Sequence, residues 1–342
     1  MSWPQMLKDL EVGALKQVYR SDPFASLLGL PLPRRDLLDG QEYLTRNTVQ
    51  ASRGCPNHCT FCSITAFYGG HYRHRSIKEV IKEISSLTGK LVIFIDDNLV
   101  ADRAYAMELF SSLRPLNRYW YSQAALTIAQ DAELLEAAAN SGCKGLFVGL
   151  ETLSNVSLRK AEKGFYQAET YLKDIETLHK VGIAVEVGIM FGFDEDGPEV
   201  FDTTLDFLKE SRVELAQITP VTPLPGTVIH QQLESEGRIL TRDWSYYDFF
   251  HVVFKPKKMT PEELQAGTDE VVRQFYSTRA IIERTISSVR FLGPFQALGT
   301  ILPLNLAAKG RIETWEARPT SKSNELHWLG ASDTSNSVIT YN

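Results

Sequence analysis

Three of the four cysteines in the chain lie within one short segment. The sequence Arg53-Gly-Cys-Pro-Asn-His-Cys-Thr-Phe-Cys62 places Cys55, Cys59 and Cys62 in a C-x3-C-x2-C spacing, directly after the first predicted strand. A cysteine binds a metal as its thiolate, and three thiolates in one loop converge easily on one inorganic centre. In a compartment that keeps thiols reduced, such a cluster is more typical of metal or redox chemistry than of disulfides.

Three interpretations of this loop compete. Three inert cysteines would normally be dispersed through a core rather than crowded together. A structural zinc site needs a fourth ligand, for which His58, His71 and His74 are available, but zinc spacings usually pair two close ligands with two distant ones. A 4Fe–4S cluster usually has four cysteines, and with three it keeps one iron open to a small molecule. The last interpretation is favoured.

Short apolar strands alternate with helical patterns from about residue 47 to residue 220. Continuous apolar runs at 91–95, 144–150, 184–190 and 215–220 predict buried parallel strands, and 48–51 and 120–126 complete a set of six. Because about 175 residues are short for eight strand–helix units, we expect an α/β fold of the partial (βα)6 TIM-like barrel type. The polar residues then lie at the carboxyl ends of the strands, where such folds build their sites.

The flanks of this region differ from its middle. We predict a lead-in or linker segment over 1–46, a barrel core over 47–226, a helical C-terminal extension over 227–310 and a mobile polar tail over 311–342.

Composition and charge exclude some classes of protein. The 342 residues carry 36 basic and 42 acidic side chains, a net charge of −6, which argues against a generally cationic nucleic-acid binder. No signal peptide and no apolar run approaching about 18 residues is evident, so we expect no membrane span and a cytoplasmic protein.

The cysteine spacing after the first strand of a six-unit barrel resembles the radical S-adenosylmethionine (radical SAM) superfamily. The resemblance implies that Cys55, Cys59 and Cys62 hold a 4Fe–4S cluster whose open iron chelates the methionyl group of SAM. The reduced cluster then cleaves SAM to a 5′-deoxyadenosyl radical, which activates a C–H bond of the substrate. The family habit also places Phe61, just before the last cysteine, near the adenine.

Further positions match the same superfamily in order along the chain. Asp96, Asp97 and Asn98 lie where the family receives the amino group of SAM, although Asp97 or Asn98 could instead cap the following helix. Glu151, at the end of the fourth strand, lies where the family contacts the ribose or carboxylate of SAM. The weaker cofactor-binding candidates are Gln123 on the third strand, Arg159, which could instead form a surface ion pair, and Gly188, which allows close approach of a ligand.

Segments outside the barrel resemble the branch of the superfamily whose members usually bear an N-terminal cobalamin-binding domain. These are Trp3-Pro-Gln5, Glu236-Gly-Arg-Ile239 and His251-Val-Val-Phe-Lys-Pro256. No Asp-x-His-x-x-Gly segment that would ligate cobalt is present, so cobalamin is not counted among the expected cofactors. We expect a shortened form, a chain that acts with a separate cobalamin-binding subunit, or an enzyme that uses only the cluster and SAM.

The resemblance implies a methyltransferase-like or rearranging enzyme acting on a small-molecule or lipid-like substrate, with a reductant such as flavodoxin or ferredoxin. The alternatives are a non-catalytic iron–sulfur remnant and, less favoured, a tRNA-modifying methylthiotransferase-like enzyme. No second cysteine trio or added RNA-binding segment is evident, so nucleic acid is not an expected partner.

Overall fold

The computed structural model describes residues 2–20, 24–38 and 45–316. A six-stranded sheet has the order β1-β4-β5-β6-β7-β8, which confirms the predicted α/β fold with six parallel strands. A two-stranded antiparallel sheet of β2 and β3 lies beside the cysteine loop in sequence. The strands are β1 (Thr48–Val49), β2 (Ser52–Arg53), β3 (Arg73–His74), β4 (Leu91–Phe94), β5 (Tyr119–Gln123), β6 (Cys143–Glu151), β7 (Ala184–Phe191) and β8 (Leu215–Pro220).

Helices connect and follow the strands, as predicted. They are α1 (Ser2–Glu11), α2 (Ser63–Tyr68), α3 (Ile77–Ser86), α4 (Arg103–Leu113), α5 (Ala132–Asn140), α6 (Asn155–Lys160), α7 (Tyr171–Lys180), α8 (Glu199–Ser211), α9 (Val228–Ser235), α10 (Pro261–Phe275), α11 (Thr278–Gln296) and α12 (Leu302–Glu316). A π-helical turn, Ala297–Ile301, joins the last two. The chain divides into two compact units, residues 1–58 with 64–144 (unit 1) and residues 59–63 with 145–342 (unit 2).

The core of unit 1 is built around Trp120 on β5. Its ring stacks on Phe110 with 5.2 Å between centroids and meets Phe94 edge-on at 5.7 Å. The indole Nε1 donates to the hydroxyl of Ser141 at 3.0 Å, so the one polar atom of this buried ring is satisfied. The apolar runs that predicted β4 and β5 therefore supply the aromatic layer between the sheet and α4.

Unit 2 contains a buried polar centre around Glu214, just before β8. Its carboxylate accepts from the backbone N–H of Val185 at 2.8 Å and from the hydroxyl of Ser288 at 3.0 Å, and it lies 3.1 Å from Nε2 of His179. Its carbonyl accepts from the amide of Asn305 at 3.0 Å. The last helices are thus attached to β7 and β8 through polar groups of α11 and α12.

The last helix changes one sequence expectation. α12 continues to Glu316, so residues 311–316 are helical and not part of a polar tail. The remainder of the predicted mobile tail, 317–342, lies outside the described residues.

The described residues contain one helical segment, Thr278–Thr314, that is long and apolar enough to cross a membrane by length and composition. The expectation that the chain has no membrane span stays a prediction.

Replacing Glu214 with alanine tests the buried polar centre. The Val185 N–H, the Ser288 hydroxyl and His179 would lose a partner inside the protein, and an unsatisfied buried group costs about 1–3 kcal/mol. We expect Glu214→Ala to lower the free energy of unfolding by about 3 kcal/mol in urea titrations followed by circular dichroism. Glu210→Ala, an exposed position near the end of α8, should change it by less than about 0.5 kcal/mol. Equal effects of the two substitutions would contradict this account of Glu214.

Candidate active site

In unit 1 the start of the cysteine loop is fastened to the segment that follows β4. Gly54 has φ +88°, and its N–H donates to the Asp97 carboxylate at 2.7 Å. A Cβ on Gly54 would lie 2.0 Å from the carbonyl oxygen of His71, so no other residue fits without a backbone shift. Next to it, the Nδ2 of buried Asn98 lies 3.9 Å from the Cys55 sulfur, and its Oδ1 accepts from Ala125 N–H at 3.1 Å. Asp97 and Asn98 therefore contact the loop itself.

Asp96 has a different position from its two neighbours. Its carboxylate is fully buried and accepts from the N–H of Ala51 at 3.0 Å and from both the N–H and the hydroxyl of Ser52. Burial raises the pKa of this carboxyl to about 6, although the hydrogen bonds from Ser52 and Ala51 act in the opposite direction. Asp96 thus accepts hydrogen bonds from the main-chain N–H groups where the chain passes from β1 to β2.

The alternative capping role for this motif is wrong. The N-cap of α4 is Asp102, whose side chain accepts from Tyr105 N–H at 3.0 Å. Asp97 lies five residues before this N-cap and Asn98 four, too early to cap that helix.

The three histidines considered as a fourth zinc ligand each pack elsewhere in unit 1. The His58 ring occupies the space above Gly70, the His71 ring lies 4.0 Å from Phe24, and the His74 ring stacks on Tyr105 at 4.2 Å. Across residues 2–20, 24–38 and 45–316, no three His, Cys, Asp or Glu side chains converge on a point that could hold one metal ion.

In unit 2 the second part of the cysteine loop is held by its main chain. Thr60 N–H donates to the carbonyl of Ala161 at 3.1 Å, and the carbonyl of Thr60 accepts from Ile229 N–H at 3.0 Å. Cys62 N–H closes a turn onto the carbonyl of Cys59 at 3.1 Å. Phe61, the predicted adenine neighbour, meets Phe193 edge-on with 6.4 Å between ring centroids.

Lys163 is a candidate site residue that the sequence alone did not predict. Its side chain is only 10% exposed, and Nζ donates to the Glu151 carboxylate at 2.6 Å and to the carbonyl of Gly149 at 2.7 Å. The ammonium also lies 5.0 Å from the ring centroid of Tyr166 and 6.0 Å from that of Phe61. Burial alone would lower the pKa of Lys163, but the negative charge of Glu151 offsets it and the pKa is raised, so the lysine stays charged.

The local backbone explains why Lys163 and not Arg159 meets Glu151. α6 ends in a left-handed residue, Glu162 at φ +54°, and Lys163 N–H then returns to the carbonyl of Leu158 at 2.8 Å. This reversal turns Lys163 inward, whereas Arg159 stays exposed on the last turn of α6. The signal available in the sequence was the Lys-Gly pair at 163–164, placed just after a short helix.

Glu151, Gly188 and Gln123 have distinct surroundings. Glu151 adopts φ +70° at an irregularity in the β6–β7 pairing, which re-aims its side chain. A Cβ on Gly188 would lie 3.0 Å from the Phe147 ring, so in unit 2 that glycine makes room for an aromatic side chain. Gln123 ends β5 with an exposed side chain, and its carbonyl accepts from Leu99 N–H at 3.1 Å.

Known proteins match this chain at the level of family and fold. A family model described as the radical SAM superfamily matches residues 49–208. The chain is 29% identical over 292 residues to bacteriochlorophyllide d C-12(1)-methyltransferase of Chlorobaculum tepidum, covering 82% of this chain and 64% of that protein. It is also 29% identical over 237 residues to hopanoid C-2 methylase of Rhodopseudomonas palustris, covering 66% and 45%. The chain therefore spans less than two thirds of these relatives' length.

Solved structures support the same fold. The radical S-adenosylmethionine methyltransferase TsrM from Kitasatospora setae, solved with cobalamin and a [4Fe-4S] cluster, superposes with a TM-score of 0.54 at 21% identity, covering 79% of this chain and 50% of that one. The cobalamin-dependent S-adenosylmethionine radical enzyme OxsB, with aqua-cobalamin and S-adenosylmethionine bound, gives 0.53 at 13% identity, covering 79% and 46%. Residues 49–208 of the chain form a radical SAM domain.

Proposed function

We propose that the chain is a radical SAM enzyme in which Cys55, Cys59 and Cys62 hold a 4Fe–4S cluster. When bound, such a cluster supplies the electron that cleaves S-adenosylmethionine to a 5′-deoxyadenosyl radical for C–H activation. The observation that carries this proposal is the C-x3-C-x2-C loop at the start of the radical SAM domain. A cysteine cluster of this kind fits a compartment that keeps thiols reduced, so the proposed location is the cytoplasm.

The chain's own residues supply binding and orientation. Asp97 and Asn98 fix the conformation of the loop at Gly54 and Cys55, and the Asn98 amide near the Cys55 sulfur can donate to a thiolate. Asp97 lies partly exposed and carries the carboxylate best placed in unit 1 to receive an ammonium group. Asp96 contributes by holding the preceding main chain, because its oxygens already accept three hydrogen bonds.

The Glu151–Lys163 pair in unit 2 suits the remaining polar groups of SAM. A lysine ammonium has three donors, of which Glu151 and Gly149 take two. We propose that the third N–H donor of Lys163 binds the methionyl carboxylate of SAM. Glu151 would then accept hydrogen bonds from the ribose hydroxyls. Because the pair is largely shielded from water, its interaction with a charged ligand is stronger than at a surface.

The substrate is proposed to be a largely apolar small molecule. On β6 and β7, fully buried residues alternate with half-buried positions that include Phe147, Gly149 and Met190. Gly149 and Gly188 pair in the β6–β7 register, with the Glu151–Lys163 pair over Gly149 and the Phe147 ring over Gly188, so an aromatic ring and a thioether lie beside the ion pair. The names of the relatives include methyltransferases of bacteriochlorophyllide d and of hopanoid, which supports methyl transfer to a substrate of this kind.

The enzyme needs an electron donor, for which we propose a flavodoxin or ferredoxin. Cobalamin is present in the solved relatives TsrM and OxsB, and methyl transfer here is proposed to use a cobalamin-binding protein acting with this chain. Addition of such a protein and cobalamin should then convert SAM cleavage into substrate methylation.

Substitution of one ligand tests the cluster. After anaerobic reconstitution with iron and sulfide, we expect the native chain to hold about four irons and to form 5′-deoxyadenosine from SAM on reduction. Cys59→Ala should lose most of the iron and the product, while Cys143→Ala, at a buried cysteine of β6, should keep both. If Cys59→Ala bound as much iron as the native chain, the ligand assignment would be wrong. A native chain with four irons that leaves SAM intact would support the non-catalytic alternative.

A matched pair of substitutions tests the role of Lys163. We expect Lys163→Met to weaken SAM binding to the reconstituted protein about tenfold, equivalent to about 1.4 kcal/mol, because the carboxylate loses its counterion. Arg159→Met removes an equal charge from the exposed side of α6 and should leave the dissociation constant unchanged. Equilibrium dialysis with labelled SAM measures both.

Iron content and thermal midpoint show whether the Lys163 variant retains its fold. If Lys163→Met fails to fold, Glu151→Gln provides the second measurement, because it keeps the size of the side chain and removes the charge that balances Lys163. The same dissociation constant for Lys163→Met and Arg159→Met would refute the assignment.

A further inference from the structure

The C-terminal helical segment, Thr278–Thr314, buries several polar residues and exposes several large apolar ones. Arg284, Ser288 and Asn305 are each no more than 8% exposed and share the buried side with Ile281, Ala297 and Ile301. An ordinary surface helix keeps its large apolar side chains for the stripe that faces the core. The segment therefore needs a separate explanation for its outer face.

The buried side is held by specific polar contacts. Ser288 and Asn305 hydrogen-bond Glu214, as described above, and Arg284 donates to the Asn305 side chain at 2.6 Å and to the Phe275 carbonyl at 2.8 Å. The Arg284 guanidinium also lies over the Phe275 ring, 3.8 Å from its centroid. These contacts fix which side of the segment faces outward.

The exposed side forms an apolar stripe, defined here by Ile282, Ile286, Phe295, Leu298 and Leu306. All five side chains are more than half exposed, and Phe295 is 95% exposed. Ile282 and Ile286 are four residues apart on α11, and beyond the kink at Gly293 the spacing of Phe295, Leu298 and Leu306 places these three on one side of the last helical part. Of the 18-residue apolar window in this segment, only 17% is buried.

The charged residues nearest to Phe295 and Leu298 in sequence are positive. From residue 284 to residue 312 the sequence contains no Asp or Glu, and Arg290 and Lys309 lie on either side of these two residues. Glu283 and Glu313 lie beyond the two ends of this stretch and pair with Arg279 and Lys309. The chain as a whole has a net charge of −6, so this concentration of positive charge is local. An apolar stripe bordered by basic residues is complementary to the surface of an anionic lipid bilayer, with apolar side chains in the acyl boundary and cations at the phosphates.

The same segment is not suited to crossing the bilayer. Its polar side is bonded to Glu214 and Phe275, and a spanning helix would leave those groups unsatisfied in hydrocarbon. The helix is also interrupted at Gly293, which has φ +78°, and Pro294 follows. We propose that α11 and α12 lie flat on an anionic membrane surface and insert Phe295 and Leu298 into it, which makes the chain a peripheral membrane protein.

Vesicle flotation with the full chain tests this proposal. We expect the native chain to float with vesicles of phosphatidylcholine and 30% phosphatidylglycerol and to bind pure phosphatidylcholine vesicles at least tenfold less. Phe295→Glu combined with Leu298→Glu should reduce binding to the anionic vesicles at least tenfold. Phe67→Glu, which changes a 77% exposed phenylalanine on α2, should leave it unchanged.

The salt dependence of vesicle binding and the oligomeric state of the chain distinguish membrane binding from self-association. Binding to anionic vesicles should fall as NaCl is raised, since the basic residues are exposed to screening. Equal binding to the two vesicle types, or no loss in the double variant, would overturn the proposal. A native chain that ignores vesicles but is a dimer in analytical ultracentrifugation, and a monomer after the double substitution, would assign the stripe to a second copy instead. Thermal midpoints confirm that the variants are folded, and 5′-deoxyadenosine formation is a separate readout of the cluster.

Discussion

The conformation of the cysteine loop depends on side chains that satisfy buried main-chain donors. Short strands such as β1 and β2 cannot pair all of their own N–H groups, and an unpaired buried N–H is costly. The Asp96 carboxylate accepts hydrogen bonds from the N–H groups of Ala51 and Ser52, and the Asp97 carboxylate accepts one from the N–H of Gly54. Asn98 then connects Cys55 to the start of the segment after β5. Three consecutive polar residues thus fix three successive points of the chain leading into the loop.

Asp96, Asp97 and Asn98 differ in burial, and their contributions differ accordingly. Asp96 is fully buried with a raised pKa, and its partners are all protein groups, so its contribution is to the loop's conformation. Asp97 keeps part of its surface, and Asn98 uses one end of its amide for the main chain and the other for the cysteine sulfur. One strand end therefore supports the loop and also leaves polar atoms at its edge. In unit 2 a left-handed Glu151 at the end of β6 aims its carboxylate at the buried Lys163.

The sequence was sufficient for features set by local pattern. The apolar runs placed β4, β6, β7 and β8 to within about one residue, because strands covered on both faces are continuously apolar. It was insufficient where tertiary contacts decide. β2 and β3 have two residues each and carry Arg53, Arg73 and His74, so no hydrophobic periodicity marks them. Lys163 depends on the left-handed residue Glu162, which no composition signal indicates, and the division of roles between Asp96 and Asp97 depends on burial. The Cys, Glu151 and Phe61 assignments rest on the resemblance and on the motif, and their ligand roles stay predictions.

The C-terminal helices follow from the same requirement that buried polar groups be paired. Glu214 precedes β8 with its carboxylate inside unit 2, so the helices that cover it must present polar groups inward, and Ser288 and Asn305 do so. The inner side of these helices holds these polar groups together with Ile281, Ala297 and Ile301, and further large apolar residues remain on the outer side. A soluble chain would usually place polar residues there, because a large exposed apolar surface favours association. The persistence of Phe295 and Leu298 at that surface, among cations and without nearby carboxylates in sequence, is what a bilayer contact requires. The apolar substrate that we propose would also be concentrated in the same bilayer, so a chain held at the membrane surface would meet it there.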